Sequence, residues 1–209
     1  YSTRRRKASQ SRIGFYLNRL ALKTASGAFT NNLNDIEALR RTLPPEKIFY
    51  LPSGIVPEEF CKDVTAGSRV RKQYGIPQGA PVVMTAARFR PGVKCESLIY
   101  LFRCLALLRD QYREMILLVV GDGPMEKHLR AQAAELLPGQ ALFTGRVARH
   151  DMAQYYSAAD LFAFPGIGES LGMVYLEAQA CGLPVVALDS PGVSQVVING
   201  KTGFLVADD

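Results

Sequence analysis

Two glutamates bracket a nearly apolar stretch, Glu169-Ser-Leu-Gly-Met-Val-Tyr-Leu-Glu177. On a continuous helix their side chains lie about 80° apart around the axis and roughly 12 Å apart along it. That is too far to share a proton, but it suits two parts of one elongated ligand. The strand-to-helix turn around Glu169 carries Gly166, Gly168 and Gly172, which permit close backbone approach. The first turn of a following helix offers free N–H groups and a positive dipole end to an anion. Upstream, "TAARFRPGVK" places Arg88 and Lys94 on either side of a Pro91-Gly92 bend. Two cations beside a helix start make a cradle for a pyrophosphate. A purely structural reading instead has Glu169 favouring the helix start, Glu177 paired with a lysine, and the two cations solvated. In either case a carboxylate inside "MVYLEAQA" needs a partner.

The same residues bear on rival chemistries. Gly166-x-Gly168-x-x-x-Gly172, with Asp189 about twenty residues on, imitates a dinucleotide fingerprint and so a nicotinamide-dependent oxidoreductase. Its glycine spacing is one residue long, and it leaves Glu169, Glu177, Arg88 and Lys94 without roles. "GDGPME" keeps two glycines of the same fingerprint but has Glu126 in the third slot. A retaining glycosidase needs its carboxyl groups about 5 Å apart, which this spacing disfavours. The chain also has no Trp for sugar stacking. His128 and His150 have no ligand-like spacing to the cysteines, so no metal site is expected.

The elements that must position these residues follow from the apolar pattern. Short runs at 81–85, 115–120, 141–143, 161–164, 184–188 and 204–206 alternate with helical text. The helices are expected at 96–109, 125–136, 151–157 and 171–181, with a short one at 194–198. Buried runs separated by helix-length spacers predict a parallel sheet with crossover helices, an α/β doubly wound, Rossmann-like domain. In such sheets ligands sit beyond the carboxyl ends of the strands, where all the residues above fall. Two further strands, 27–30 and 48–51, flank a helix at 33–43, and Pro52, Gly54 and Pro57 punctuate a loop to about residue 66. We divide the chain into 1–52, a connector at 53–78, and the main domain at 79–209. The text opens in mid-helix and stops just after a strand, so a longer parent chain is expected.

Composition bounds the rest. An apolar fraction of 48% over 209 residues describes a globular protein with a sizeable core. No apolar run is long enough to span a bilayer, and no secretory signal follows the basic start. Cys61, Cys95, Cys104 and Cys181 show no C-x-x-C spacing and read as reduced cytosolic thiols. The net charge of +6 is concentrated in residues 1–34, which hold seven Lys/Arg and no acid. Arg4, Arg5, Arg6 and Lys7, followed by Ile13, Tyr16, Leu17 and Leu20 at helical spacing, fit either a solvated helix end packed on something absent or an anionic membrane surface. Nucleic acid is not an expected partner, because no basic-aromatic platform follows.

Taken together, Arg88 and Lys94, "VVGDGP", "FTGRV", "AADLFAFPG", "ESLGMVYLEAQACGLPVVA" and "NGKTGFLV" resemble the donor-binding half of the retaining GT-B glycosyltransferases of family 4, group 1. The likeness is dense over 81–206 and looser over 27–60, which is similar to the end of the acceptor domain. The resemblance implies sugar transfer from a UDP- or GDP-linked donor to a carbohydrate or lipid-linked acceptor, with retained configuration. No metal or other cofactor is implied. Arg88 and Lys94 would hold the diphosphate, aided by the N–H groups of Leu171, Gly172 and Met173 and by the turn at Gly168 and Ser170. Glu169 would bond sugar hydroxyls, Glu177 the ribose diol, and backbone around Arg146 and Val147 the base. The implied setting is cytoplasmic, peripheral at the inner membrane face if the basic start binds lipid. A missing N-terminal domain would carry the acceptor site, leaving this chain inactive alone. The sequence departs from the family pattern where Ala87, Cys95 and Ser170 replace glycines, Gly166 a serine and Gln195 a glutamate. An inactive, nucleotide-binding relative is the alternative.

Overall fold

The computed structural model describes residues 14–207. The basic cluster Arg4–Lys7 lies outside them. The chain forms two compact units, one ending at Ser53 and the other beginning at Gly54.

In the first unit, helix α1 (residues 14–24) precedes strand β1 (Ala28–Thr30), helix α2 (Leu33–Arg40) and strand β2 (Ile48–Tyr50). The two strands pair in parallel, with Phe29 opposite Phe49. Their rings stack at 5.1 Å. Helix α2 stops at Arg40, short of the expected 43, because Pro44 biases the residue before it away from helical geometry.

The second unit opens with α3 (Val64–Gln73), capped by the Asp63 carboxylate on the Ala66 N–H at 2.9 Å. Six strands follow: β3 (Val82–Ala86), β4 (Ile116–Val120), β5 (Ala141–Gly145), β6 (Leu161–Ala163), β7 (Val185–Leu188) and β8 (Gly203–Val206). Between them run α4 (Val93–Leu108), α5 (Glu126–Leu136), α6 (Met152–Ala158) and α7 (Met173–Ala180). All strand pairs are parallel, in the order β5-β4-β3-β6-β7-β8. The chain thus winds outward from β3 to β5, returns to the centre at β6 and winds outward again. The reversal between β3 and β6 is the switch point of a doubly wound sheet. Every residue of β3 is buried, which is why its text is apolar throughout rather than alternating.

The amino ends of the central strands are clasped by one residue pair. Arg71 on α3 bonds the carbonyls of Ala158 at 2.7 Å and Ala80 at 3.0 Å and the Asp160 carboxylate at 2.8 Å. Asp160 also accepts from the Val82 N–H at 2.8 Å. The aspartate of "AADLF" therefore ties β3 to β6 at the end of the sheet away from the ligand edge. The packing of α3 on α6 needs Gly67, where an added Cβ would lie 2.3 Å from the Ser157 carbonyl oxygen.

Helix α7 starts at Met173, two residues later than expected, and two further expected helices differ from those observed. Residues 191–196 form successive turns and 197–198 are irregular, so no helix forms over 194–198. Gly192 is pressed against the backbone of Glu169 and Ser170, which pins the start of the segment. Its β-branched Val196, Val197 and Ile198 then give a short helix little support. Helix α4 begins at Val93, not 96, because Gly92 at φ 86° turns the chain straight into it. That places Lys94 in the first helical turn.

Candidate functional site

The loop after β3 is set by its neighbour rather than by its own sequence. The Ala87 N–H bonds the Val120 carbonyl at 3.1 Å, and the Phe89 N–H bonds that of Asp122 at 2.8 Å. Phe89 is fully buried and meets Phe143 edge-on at 6.1 Å. This close approach needs the glycines of "GDGP": a Cβ on Gly121 would lie 1.9 Å from the Ala87 oxygen, and one on Gly123 2.6 Å from that of Phe89. With Phe89 nailed inward, Arg88 is exposed. Its guanidinium has no hydrogen bond or ion pair among the described residues. Arg88 lines a cleft of about 280 Å³ together with Asp122, Arg146, Val147 and Val174.

Across the switch point, the loop after β6 carries Glu169. Its position is fixed from three sides. The Ile167 N–H bonds the buried Ser97 hydroxyl of α4 at 3.1 Å, and that hydroxyl donates to the Val93 carbonyl at 2.7 Å. The Tyr175 hydroxyl donates to the Phe164 carbonyl at 3.0 Å. Gly192 closes over Glu169 and Ser170, where a Cβ would fall 1.9 Å from the Glu169 carbonyl oxygen. Ser97 and Tyr175 are not among the residues the sequence points to; a serine inside the apolar face of a long helix is the available signal for the first.

Held in this way, the Glu169 carboxylate is paired with Lys94. Its Oε1 accepts from the N–H groups of Ser170 at 3.1 Å, Leu171 at 3.4 Å and Gly172 at 3.5 Å. The Lys94 ammonium also stands 5.1 Å from the centre of the Phe164 ring, a cation–π contact. Burial pushes the Glu169 carboxyl up, but the Lys94 hydrogen bond and charge and the two backbone N–H groups outweigh it and leave it below the usual carboxylate range. Glu169 is in the loop, not on α7, so the continuous-helix separation of the two glutamates does not apply. Gly172, at φ 67°, turns the chain into α7, of which Met173 is the first residue. Gly168 is exposed at φ 64° beside Val93.

Glu177 lies in the second turn of α7 and is 8% exposed. Its partners are Tyr156, whose hydroxyl donates at 2.9 Å, and Arg149, at 3.2 Å. The lysine considered from sequence is thus replaced by an arginine and a buried phenol. Burial pushes the Glu177 carboxyl up, against the opposing pull of Tyr156 and Arg149.

Of the departures from the family pattern, Gly166 and Ser170 find physical reasons, and Cys95 and Gln195 are placed. A serine at 166 has no room, because a Cβ there would lie 2.2 Å from the Tyr175 hydroxyl. Ser170 needs no glycine, since among the described residues no non-glycine residue has positive φ, and it is exposed to solvent. Cys95 is buried on the core face of α4. The Gln195 amide donates to the Pro191 carbonyl at 2.5 Å within its own turn.

A six-stranded doubly wound sheet, with cations and carboxylates meeting at its switch point, defines a GT-B-type Rossmann-like domain. The chain belongs to the glycosyl transferases group 1, whose family model matches residues 68–209. It is 36% identical over 171 residues to a GDP-mannose-dependent alpha-(1-6)-phosphatidylinositol monomannoside mannosyltransferase from Mycolicibacterium smegmatis, covering 78% of this chain and 44% of that protein. It is 33% identical to a D-inositol 3-phosphate glycosyltransferase from Stackebrandtia nassauensis, over 78% of this chain and 38% of that one. The chain therefore spans less than half the length of these relatives. Among solved structures, Anabaena Alr3699/HepE in complex with UDP and glucose superposes with a TM-score of 0.77 at 26% identity, covering 95% of this chain and 54% of that chain. The dinucleotide alternative gives way to this family assignment: the glycines that imitate the fingerprint serve the Glu169 turn. None of the described helices is long and apolar enough to cross a membrane.

Proposed function

We propose that this chain is the donor-binding part of a retaining glycosyltransferase that moves a sugar from a UDP- or GDP-linked donor to an acceptor. The observation that carries the reading is the anion cradle at the switch point. Lys94 and three loop N–H groups already converge on one carboxylate. A donor diphosphate would take over Lys94 and the loop N–H groups of Leu171 and Gly172, with Arg88, unpaired on the same sheet edge, as the second cation. Glu169, displaced from the cradle, then accepts from sugar hydroxyls. As the glycosidic bond breaks, negative charge grows on the leaving diphosphate, where fixed cations lower the barrier most. The two cations supply the opposing positive charge without a metal. Backbone at Arg146 and Val147 meets the base in the cleft that Arg88 also lines, and Glu177 meets the ribose. The relatives named for phosphatidylinositol monomannoside support a lipid-linked or carbohydrate acceptor. Free cysteines support a cytosolic setting, with Arg4, Arg5, Arg6 and Lys7 as a contact to the inner membrane face.

A thermal-shift panel of UDP, GDP, ADP and NAD, run with a chelator throughout, tests the reading. Stabilisation follows ligand concentration over dissociation constant, so UDP or GDP should raise the melting temperature and NAD should not. Glu177→Ala should remove most of that rise. A response to NAD alone, or a shift that appears only on adding a divalent cation, contradicts the proposal.

A further inference from the structure

Tyr156 is fully buried on α6, with its ring edge-on to Phe60 at 6.3 Å and tilted against Phe162 at 5.7 Å. Phenylalanine would fill that space without the cost of burying a hydroxyl. The hydroxyl's close partner is Glu177, at 2.9 Å, with a longer contact to the Val174 carbonyl at 3.5 Å. Arg149 reaches the other carboxylate oxygen at 3.2 Å. It is itself held from behind, by Glu59 at 3.0 Å and by the Phe60 ring 5.0 Å from its guanidinium carbon. Each Glu177 oxygen thus accepts one fixed hydrogen bond. A carboxylate has about four lone-pair positions, so acceptor capacity is left on both oxygens. That is the acceptor pattern of a vicinal diol.

We propose that Tyr156 and Arg149 are positioning residues that hold the Glu177 carboxylate ionised and in one orientation for the 2′,3′-diol of a nucleotide ribose. The inference rests on the donor reading above and adds the means by which the ribose is selected. The groups facing Glu177 are Tyr156 from α6, Arg149 from the turn before it, Glu59 from the 57–59 turn and Cys181 at the end of α7, beside Cys61. Burial pushes the Glu177 carboxyl up; Tyr156 and Arg149 pull it down, and Glu59 adds to the upward push. Tyr156 is held well above the usual phenol value, chiefly by burial, and therefore remains a donor. Removing either donor leaves burial less opposed, and the carboxylate takes a proton at higher pH. A protonated carboxyl no longer offers both acceptors.

The test is calorimetric titration of the 209-residue chain with GDP, 2′-deoxy-GDP, UDP and 2′-deoxy-UDP from mildly acidic to neutral pH. Wild type should prefer the ribonucleotide of the responding base, and the preference should fade on acidification. Tyr156→Phe should lose about tenfold of that preference, weakening the ribonucleotide more than the deoxynucleotide, whose one remaining hydroxyl draws less on Glu177, and move the acid limb to higher pH. Arg149→Met should behave alike, and Arg149→Lys should restore part of the preference. A Tyr156→Phe chain that weakens ribo and deoxy forms equally, or shifts neither preference nor pH profile, overturns the inference. So does a wild type that binds diphosphates with no ribose preference, although the donor reading then stands. A wild type that binds no nucleoside diphosphate overturns both.

Discussion

Glu169 and Glu177 sit on one short stretch of chain, yet the fold drives their carboxyls in opposite directions. Lys94 and backbone N–H groups hold Glu169 below the usual range, while burial holds Glu177 above it. For Glu169 the sign is that of a depressed carboxyl. Its stability contribution is present above the ordinary value of 4.5 and is lost as pH falls through its lowered folded value. The same pair predicts opposite mutant effects on binding. Lys94→Ala should weaken UDP or GDP binding by about ten- to a hundredfold, the worth of a charge-assisted hydrogen bond. Glu169→Gln should strengthen it, because the carboxylate no longer competes with phosphate for Lys94 and the loop N–H groups. Titration of the sugar-free nucleotides decides this, and equal weakening by both variants would remove Glu169 from the cradle.

At the scale of elements, the site depends on loops that neighbouring strands hold in place. "GDGP" after β4 serves the turn after β3, because only glycine lets the two backbones approach. The turn after β6 depends in the same way on Tyr175 of α7. Gly166→Ser, the residue usual in the resembling family, should destabilise this chain by about 1–3 kcal/mol through positive φ and the collision with the Tyr175 hydroxyl. Tyr175→Phe removes the hydroxyl, so the double variant should be less destabilised than the sum of the singles. Denaturant unfolding of the four proteins measures the coupling, and strict additivity would mean that the two residues do not contest the space. The helix period and the strand runs were legible in the sequence because each is a local pattern. The start of α4 and the loss of the 194–198 helix were not, since Gly92 and Gly192 act through backbone geometry and close approach.

For the whole molecule, the ruling fact is that the chain spans less than half the length of its mannosyltransferase relative. A GT-B enzyme reacts its donor with an acceptor, and here the proposed donor groups lie on one sheet edge of the second unit. The first unit exposes Phe15, Tyr16, Leu17, Phe29 and Phe49 on a two-stranded sheet and a helix, more apolar surface than such a small element leaves to water on its own. The expected outcome is that the 209-residue chain binds nucleotide but shows no transfer when supplied with a labelled nucleotide sugar and lipid-linked or free sugar acceptors. Turnover by this chain alone would show that the acceptor side needs nothing beyond it.

The sequence by itself determined the alternation of buried runs and helices, and the ordered motifs that carry the family resemblance. It also supplied the residue types that can hold a diphosphate and two hydroxyl-bearing groups. These are local patterns, fixed by side-chain periodicity and by glycine at set positions. The tertiary structure alone decided that β3 and β6 are neighbours, which brings Lys94 to Glu169. It alone closed Arg149 and Tyr156 around Glu177. Contacts between residues so far apart in the chain are set by how helices and strands pack, and no local spacing encodes them.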